Sequence, residues 1–357
     1  MRDIVDGLTS WRTAGVAYAV ATVVRTWQSA PRQPGAAMAV SADGAALGSI
    51  SGGCVEGAVY ELCRRAVETG QASTQTYGVS DDDAFDVGLT CGGTIEILIQ
   101  PDCALTEPDE VLAAIRDGRP VATASVENAQ LVIWPDRVAG SLGHPDLDDS
   151  TARQAAGMLA VGATGTIHLG RQGEQRRDDV SVFVQSYLAP PRMIVFGATD
   201  FAAATARIGR FLGYHVTVCD ARSVFATRTR FPDADELVVQ WPHKYLESTA
   251  IDDRTVLCVL THDPKFDVPL LQVALHTPAR YVGAMGSRRT HVDRLRRLRE
   301  AGVSEAALAR LSSPIGLDLG ARTPEETAVA IAAEIVAQAW GGSGRRLTDL
   351  ESPIHQA

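Results

Sequence analysis

The stretch Arg192–Arg222, RMIVFGATDFAAATARIGRFLGYHVTVCDAR, decides the fold. Met193 to Phe196 form a short apolar run, and Gly197 then allows a turn. Phe201, Thr205, Ile208, Phe211 and Leu212 recur at helical spacing. Gly213 ends that helix, because a residue without a Cβ takes the left-handed cap conformation. His215 to Asp220 return as a second strand. Strand, glycine turn, helix, strand and terminal acid together open a doubly wound parallel sheet of the dinucleotide-binding type. The turn departs from Gly-x-Gly-x-x-Gly/Ala at one place. Gly197 and Ala202 hold the first and third positions, but Thr199 stands where glycine would let backbone approach a pyrophosphate. Thr199 or Asp200 is instead a candidate helix N-cap. Asp220 sits where a ribose hydroxyl would be accepted; the alternative is a strand-end carboxylate facing solvent.

Downstream, strands recur at Glu236–Val239, Val256–Leu260 and Arg280–Gly283, with helices near Tyr245–Ala250 and Val268–His276. Ligands of such sheets sit beyond the carboxyl ends of the strands. Trp241 and His243 follow the third strand; His262, Asp263 and Lys265 follow the fourth. The fifth runs into GAMGSRR, where Gly286, a helix start, Arg288 and Arg289 make a phosphate candidate. The alternative places those arginines on a basic, solvated helix, RRTHVDRLRRLR. Thr323, Pro324 and Glu326 spell a capping box before the last helix, whose Ala328, Ile331, Ala332 and Ile335 face the sheet.

Upstream of the proline pair Pro190–Pro191 the pattern is mixed α+β. The expected order is a helix at Asp3–Thr13, strands at Val16–Thr26, Ala36–Val40 and Ala46–Ile50, and a helix striped by Val55, Val59, Leu62 and Ala66. A strand at Thr94–Gln100 alternates, with Ile95, Ile97 and Ile99 on one face. Then come a helix at Glu110–Asp117, a strand pair at Val121–Val126 and Leu131–Trp134, a helix at Ser150–Ala160, and a hairpin at Gly165–Leu169 and Val180–Gln185. The fold class is therefore α/β. Residues 1–187 form an α+β domain, 188–191 a linker, 192–340 a Rossmann-like domain and 341–357 a polar tail.

Three places in the first domain carry chemistry. Arg32 lies in a loop forced by Pro31, Pro34 and Gly35, either solvated or an anion ligand. Ser51, Gly52 and Gly53 lie at a helix start, where free amides and the helix dipole favour an anion. Cys54 beside them is either an activated thiol or a small buried hydrophobe. Cys91 stands before a strand, again next to two glycines. If the two turns meet, they form a thiol pair over a backbone-lined pocket.

The bulk numbers narrow the classes. The 357 residues suffice for two domains, and 45% hydrophobic content supplies a core for each. No run approaches the ~20 apolar residues of a membrane span, and no charged-then-apolar leader precedes Trp11. A net charge of -10 argues against nucleic acid. Six cysteines without a CxxC pair fit a reduced cytoplasm rather than a disulfide scaffold. The acidic run Asp81–Asp83 with Asp86 reads as a solvated loop, with a metal site as the alternative. Lys244 and Lys265 are the only lysines, which leaves Schiff-base chemistry two candidates.

Seven stretches run in order through both domains. They are SAPRQPGAAMAV (29–40), GSISGGCVEG (48–57), GLTCGG (88–93), the Arg192–Arg222 unit, THDPKFD (261–267), YVGAMGSRRTH (281–291) and PIGLDLGARTPEE (314–326). In these the chain resembles the XdhC/CoxI family, maturation factors for molybdenum hydroxylases such as xanthine dehydrogenase. The resemblance implies a cytoplasmic chaperone that binds molybdenum cofactor (molybdopterin), helps sulfur replace its terminal oxo ligand and hands it to an apo-enzyme. It implies a xanthine- or carbon-monoxide-dehydrogenase-like client, a cysteine desulfurase as sulfur donor, and a homodimer. Carried onto these positions, Cys54 and Cys91 become metal or sulfur contacts, and Arg32, Gly52 and Gly53 ligands of the pterin or its phosphate. The cofactor would lie near the interdomain cleft. Two departures stand out: Gln28, where many relatives have glycine, and the GATDFA turn, where many have a second glycine. The latter speaks against nucleotide binding by the second domain and would mark a subgroup serving a different hydroxylase, such as a carbon-monoxide-dehydrogenase-like enzyme. Two rival readings stand beside this one. One is an NAD(P)-dependent oxidoreductase using Gly197, Asp220 and His262; the other is a docking scaffold that binds no small molecule.

Overall fold

The computed structural model describes residues 1–27, 30–78, 93–261 and 263–351. They form two compact units, Met1–Ala189 and Pro190–Leu350. The first unit has a feature that the sequence does not advertise: it is one motif used twice. Helix α1 (Val5–Thr13), strands β1 (Tyr18–Trp27), β2 (Ala37–Ser41) and β3 (Ala46–Gly48), helix α2 (Glu56–Thr69) and strands β4 (Ser73–Tyr77) and β5 (Thr94–Pro101) come first. The same succession follows in α3 (Pro108–Asp117), β6 (Val121–Val126), β7 (Ala129–Ile133), β8 (Val138–Ser141), α4 (Pro145–Val161), β9 (Gly165–Leu169) and β10 (Val180–Tyr187). Each half makes one antiparallel five-stranded sheet, with orders β3-β2-β1-β5-β4 and β8-β7-β6-β10-β9.

The registers superpose as well. Ala21 pairs with Met38 and Ile99 in the first sheet, while Ala124 pairs with Leu131 and Val184 in the second. Gly48 and Gly140 then occupy one place, both with positive φ (74° and 88°). A Cβ at either would collide with a backbone carbonyl of the neighbouring strand, that of Ala37 or of Gln130. Only glycine fits an edge strand so close to its partner.

Strand alternation gives each sheet two packed faces, with α1 and α3 on the inner side. The Ala19, Ala21 and Val23 face of β1 packs with Ile95, Ile97 and Ile99 on Val55, Val59, Cys63 and Ala66 of the α2 segment. In the second half Ala122, Ala124, Val182 and Val184 pack on Leu147, Ala155 and Leu159 of α4. The opposite faces of both sheets line a shared cavity of about 50 Å3, where Val20, Leu98, Phe183 and Tyr187 enclose the buried Gln100 and Gln185. These glutamines are equivalent in register, and each reaches the other half. Gln100 donates to the Val126 carbonyl at 3.2 Å, and Gln185 to the Gly35 carbonyl at 2.9 Å. Exchanged contacts of this kind mark a two-fold relation between equal parts.

The second unit is a parallel six-stranded sheet of order β13-β12-β11-β14-β15-β16. Its strands are β11 (Arg192–Phe196), β12 (His215–Cys219), β13 (Glu236–Val238), β14 (Val256–Val259), β15 (Tyr281–Ala284) and β16 (Leu311–Ser312). This order reverses direction of growth between β11 and β14, the place where such sheets take ligands. Helices α5 (Asp200–Phe211) and α10 (Pro324–Trp340) cover one face; α6 (Pro242–Ser248), α7 (Pro264–Ala274), α8 (Arg288–Glu300) and α9 (Glu305–Leu308) lie elsewhere in the unit. The expected α/β architecture is present, including the capping box of Thr323 and Glu326. Two details differ. β16 is a sixth strand, too short to read as periodicity. Helix α7 begins four residues before Val268, because Asp263 caps the Lys265 amide and Pro264 takes the first helical position.

Candidate functional site

Helix α2 begins where Gly52 and Gly53, at φ 78° and 117°, turn the chain off β3. Their amides are not free, which corrects the expectation of an open anion site there. Glu56, the first helical residue, folds back over the turn. Its Oε1 accepts from the amides of Ser51 (2.9 Å) and Gly52 (3.0 Å), and its Oε2 from that of Gly53 (2.8 Å). The Ser49 hydroxyl donates to it at 2.7 Å and the Ser51 hydroxyl closer still. The Ser51 oxygen in turn accepts from the amides of Cys54 (3.0 Å) and Val55 (3.1 Å). An internal carboxylate thus occupies the anion-binding turn. Burial pushes the Glu56 carboxyl up, but hydrogen bonds from Ser51, Ser49 and the backbone outweigh it and hold the group well below the usual carboxylate range.

The outer side of this turn is open. A Cβ at Gly52 or Gly53 would meet no atom within 4 Å. Cys54 is half-buried and packs on the core cluster that contains Ala30, Ile50 and Val55. Cys63 is buried in the same cluster, and burial pushes its thiol up to about 12. Arg32 lies apart, in a broad depression of about 610 Å3 with Met1, Asp3, Pro34 and Gln185. Its guanidinium stands 3.7 Å from Asp3, at a half-exposed position.

In the second unit the first turn is filled from within. Thr199, not Asp200, is the N-cap: its hydroxyl accepts from the Ala202 amide at 3.2 Å. Asp200 pairs with Arg230 at 2.9 Å. Gly197 has φ 107°, and a Cβ there would lie 2.9 Å from Thr261 Cγ2. Asp220 is buried, which corrects the reading of a solvated strand-end acid. Its Oδ2 accepts from the Ala198 amide (2.6 Å) and Arg222 (2.8 Å), its Oδ1 from the Arg222 amide (2.8 Å) and Nε (3.0 Å). Both oxygens are used, so a ribose hydroxyl would have to displace Arg222.

Gly286 borders a depression of about 340 Å3 at the carboxyl edge of the sheet, with Phe201, Ser287, Thr290, Pro314 and Thr327. Ser287 caps α8 through the Thr290 amide at 3.1 Å, and Arg288 is its exposed first residue. The helix is not solvated throughout. Arg294 is buried and donates to Asp267 (2.9 Å), the Met285 carbonyl (2.7 Å) and the Ser313 hydroxyl (2.9 Å). Asp267 also accepts from the Thr261 hydroxyl. By bonding both Asp267 and the Met285 carbonyl, Arg294 ties THDPKFD to YVGAMGSRRTH.

Cys91, His262 and the acidic run at Asp81 lie outside the described residues. The remaining candidates fall into four places: Gly52, Gly53 and Cys54 in one turn, Arg32 in its depression, Gly197 with Asp220, and Gly286 with Arg288. Sequence reading missed Glu56, Arg222 and the Asp267–Arg294 pair. Glu56 had a signal, an acid placed to fold back over serines and glycines before it. The Asp267–Arg294 pair, 27 positions apart, had none. Among the described residues no cluster of three or more His, Cys, Asp or Glu could hold a metal, and no helix is long and apolar enough to cross a membrane.

Comparison with known proteins agrees on one lineage. The XdhC Rossmann domain profile matches residues 193–335, and the XdhC and CoxI family profile residues 11–78. Together these spans take in more than half of the chain. A Bacillus subtilis protein named as a probable xanthine dehydrogenase component is 26% identical, over 89% of this chain and 92% of its own. The Escherichia coli molybdenum cofactor insertion chaperone PaoD is 26% identical, over 94% and 86%. A crystal structure described as a xanthine dehydrogenase from Bacillus halodurans shares the fold, with a TM-score of 0.75 over 97% of this chain and 98% of that one at 23% identity. On these matches, the chain belongs to the XdhC/CoxI family.

Proposed function

We propose that this protein is a molybdenum cofactor insertion chaperone serving a xanthine-dehydrogenase-type molybdenum hydroxylase. The relatives' names support the coarse reading. The observation that carries it on this chain is the Ser51–Cys54 turn, a half-buried thiol beside two residues whose missing side chains leave open space. A flat pterin with a sulfur-held metal needs close approach to backbone and a soft ligand, and this turn offers both. The cargo brings the metal chemistry; the chain's part is to hold it. Cys54 would contact the metal or its sulfur, and Arg32, whose planar guanidinium suits phosphate, is the candidate for the pterin's phosphate. The finer reading is that the persulfide sulfur of a cysteine desulfurase, with a second thiol as reductant that leaves as the disulfide, would replace the terminal oxo ligand, released as water, while the cargo is held here, in the reduced cytoplasm. The amides of Gly52 and Gly53 are taken by Glu56, so their role is approach rather than anion binding.

The saturated Asp220 weighs against the NAD(P)-dependent oxidoreductase. The test uses protein purified without oxygen from cells that make the cofactor, as wild type and Cys54→Ala. Molybdenum and oxidised-pterin fluorescence should accompany wild type and be lost from a folded mutant. No pterin on either, from cells shown to contain the cofactor, would overturn the proposal.

A further inference from the structure

The internal repeat separates what the turn needs to fold from what it carries besides. Ser49–Glu56 and Ser141–Asp148 hold the same place in the two halves, between the edge strand and its helix, with serine and acid seven positions apart. They share a device. The serine hydroxyl donates to the acid at 2.7 Å in both. The next amide, Ile50 or Leu142, donates to the same carboxylate at 3.3 or 2.6 Å. A glycine amide, Gly52 or Gly143, returns to the serine oxygen at 3.1 or 3.0 Å. In the second half the serine and a shorter carboxylate, Asp148, are joined by the His144 ring, which accepts the Asp146 amide at 3.2 Å, and by Pro145 at the first helical position.

The first half adds more. Glu56 also collects the amides of Ser51, Gly52 and Gly53 and the Ser51 hydroxyl, which in turn holds the Cys54 amide. The second half has Gly143, His144 and Pro145 in those places; Gly143 has no hydroxyl and Pro145 no amide hydrogen to offer. The cap on the Cys54 amide has a counterpart there, His144 Nδ1 on the Asp146 amide, but the contacts of Glu56 with Ser51, Gly52 and Gly53 have none, and these converge on the residues that lead into Cys54.

We propose that Glu56 is a positioning residue, whose carboxylate holds Ser51–Gly53 so that the Cys54 thiol meets the cargo at a fixed place, while Asp148 is its purely structural counterpart. This rests on the reading of Cys54 as the cargo-contacting thiol. Charge-assisted hydrogen bonds to a carboxylate are the strong kind, so several of them fix a glycine turn that would otherwise sample many conformations.

Glu56→Asp is the decisive variant, because it installs the shorter acid that the second half already uses. The full-length protein is treated with iodoacetamide, and the Cys54 peptide is followed by mass spectrometry alongside thermal melting and pterin retention. Glu56→Asp should melt close to wild type, alkylate at Cys54 about tenfold faster and retain less pterin, the change expected from losing one or two charge-assisted bonds. Asp148→Asn should leave the Cys54 rate as in wild type. Glu56→Gln, which keeps the length and loses the charge, should also raise the rate, and provides the same readout if Glu56→Asp melts early. Wild-type alkylation rates in folded Glu56 variants would overturn the proposal. Wild type without pterin, with altered Cys54 rates in the variants, would sink cofactor carriage and leave the positioning role standing.

Discussion

Replacing Asp267 by Ala should cost the second unit more stability than any exposed ion pair could. Asp267 and Arg294 are 4% and 3% exposed. Removing the carboxylate leaves Arg294 with the Met285 carbonyl and the Ser313 hydroxyl but no counter-charge. A buried charge stripped of its partner typically costs about 3–5 kcal/mol. For a unit of this size each kcal/mol moves a melting midpoint by about 2–4 °C, so the loss is roughly 6–20 °C. Calorimetry on the full chain reads it as the fall of one transition. Pairing Asp267→Leu with Arg294→Met should recover most of the loss, because both desolvated charges go together. A loss below about 1 kcal/mol in Asp267→Ala, the value of a surface pair, would refute the claim that this contact joins two motifs through the core.

Three further outcomes follow from the geometry. Gly197→Ala should destabilise the second unit by about 1–3 kcal/mol, since φ is 107° and the added Cβ would press on Thr261; an unchanged urea midpoint would contradict this. Burial pushes the Asp220 carboxyl up, but hydrogen bonds from Arg222 and the Ala198 and Arg222 amides outweigh it and hold it low. Its stabilisation is therefore present above the ordinary aspartate pKa of about 4 and lost as pH falls through the lower folded value. Asp220→Asn should accordingly flatten the acid limb of stability against pH, and an equally steep limb in the mutant would assign the effect elsewhere. Titration with NAD should show no binding to wild type, because Arg222 fills the Asp220 carboxylate; saturable binding at micromolar NAD would show that Arg222 yields.

The second unit was legible because its signals are local. The run Met193–Phe196, the turn at Gly197 and the stripe on α5 sit within one stretch, and parallel strands buried on both faces read as plain apolar runs. Strand and helix positions in the first unit were largely legible too, but their doubling was not. Ala21 and Ala124, or Gln100 and Gln185, are equivalent through register, and register follows from which strands pair rather than from residue identity. At the candidate sites, residue type pointed to the right turns but not to their state. Glycines before a helix suggest free amides, yet Glu56 took them; an acid at a strand end suggests an acceptor, yet Arg222 saturated it. Those partners lie two to five positions away, and only side-chain direction decides whether they turn inward.

The repeat in the first unit has a consequence for how such a turn can change. In a symmetric pair of separate chains, one substitution alters both turns at once. Joined in a single polypeptide, Ser49–Glu56 and Ser141–Asp148 are encoded separately. One can close with a proline while the other keeps its paired glycines and a thiol. With Cys54 as the contact, the chain has one cargo-holding position instead of two, and the expected capacity is one equivalent of cargo per polypeptide.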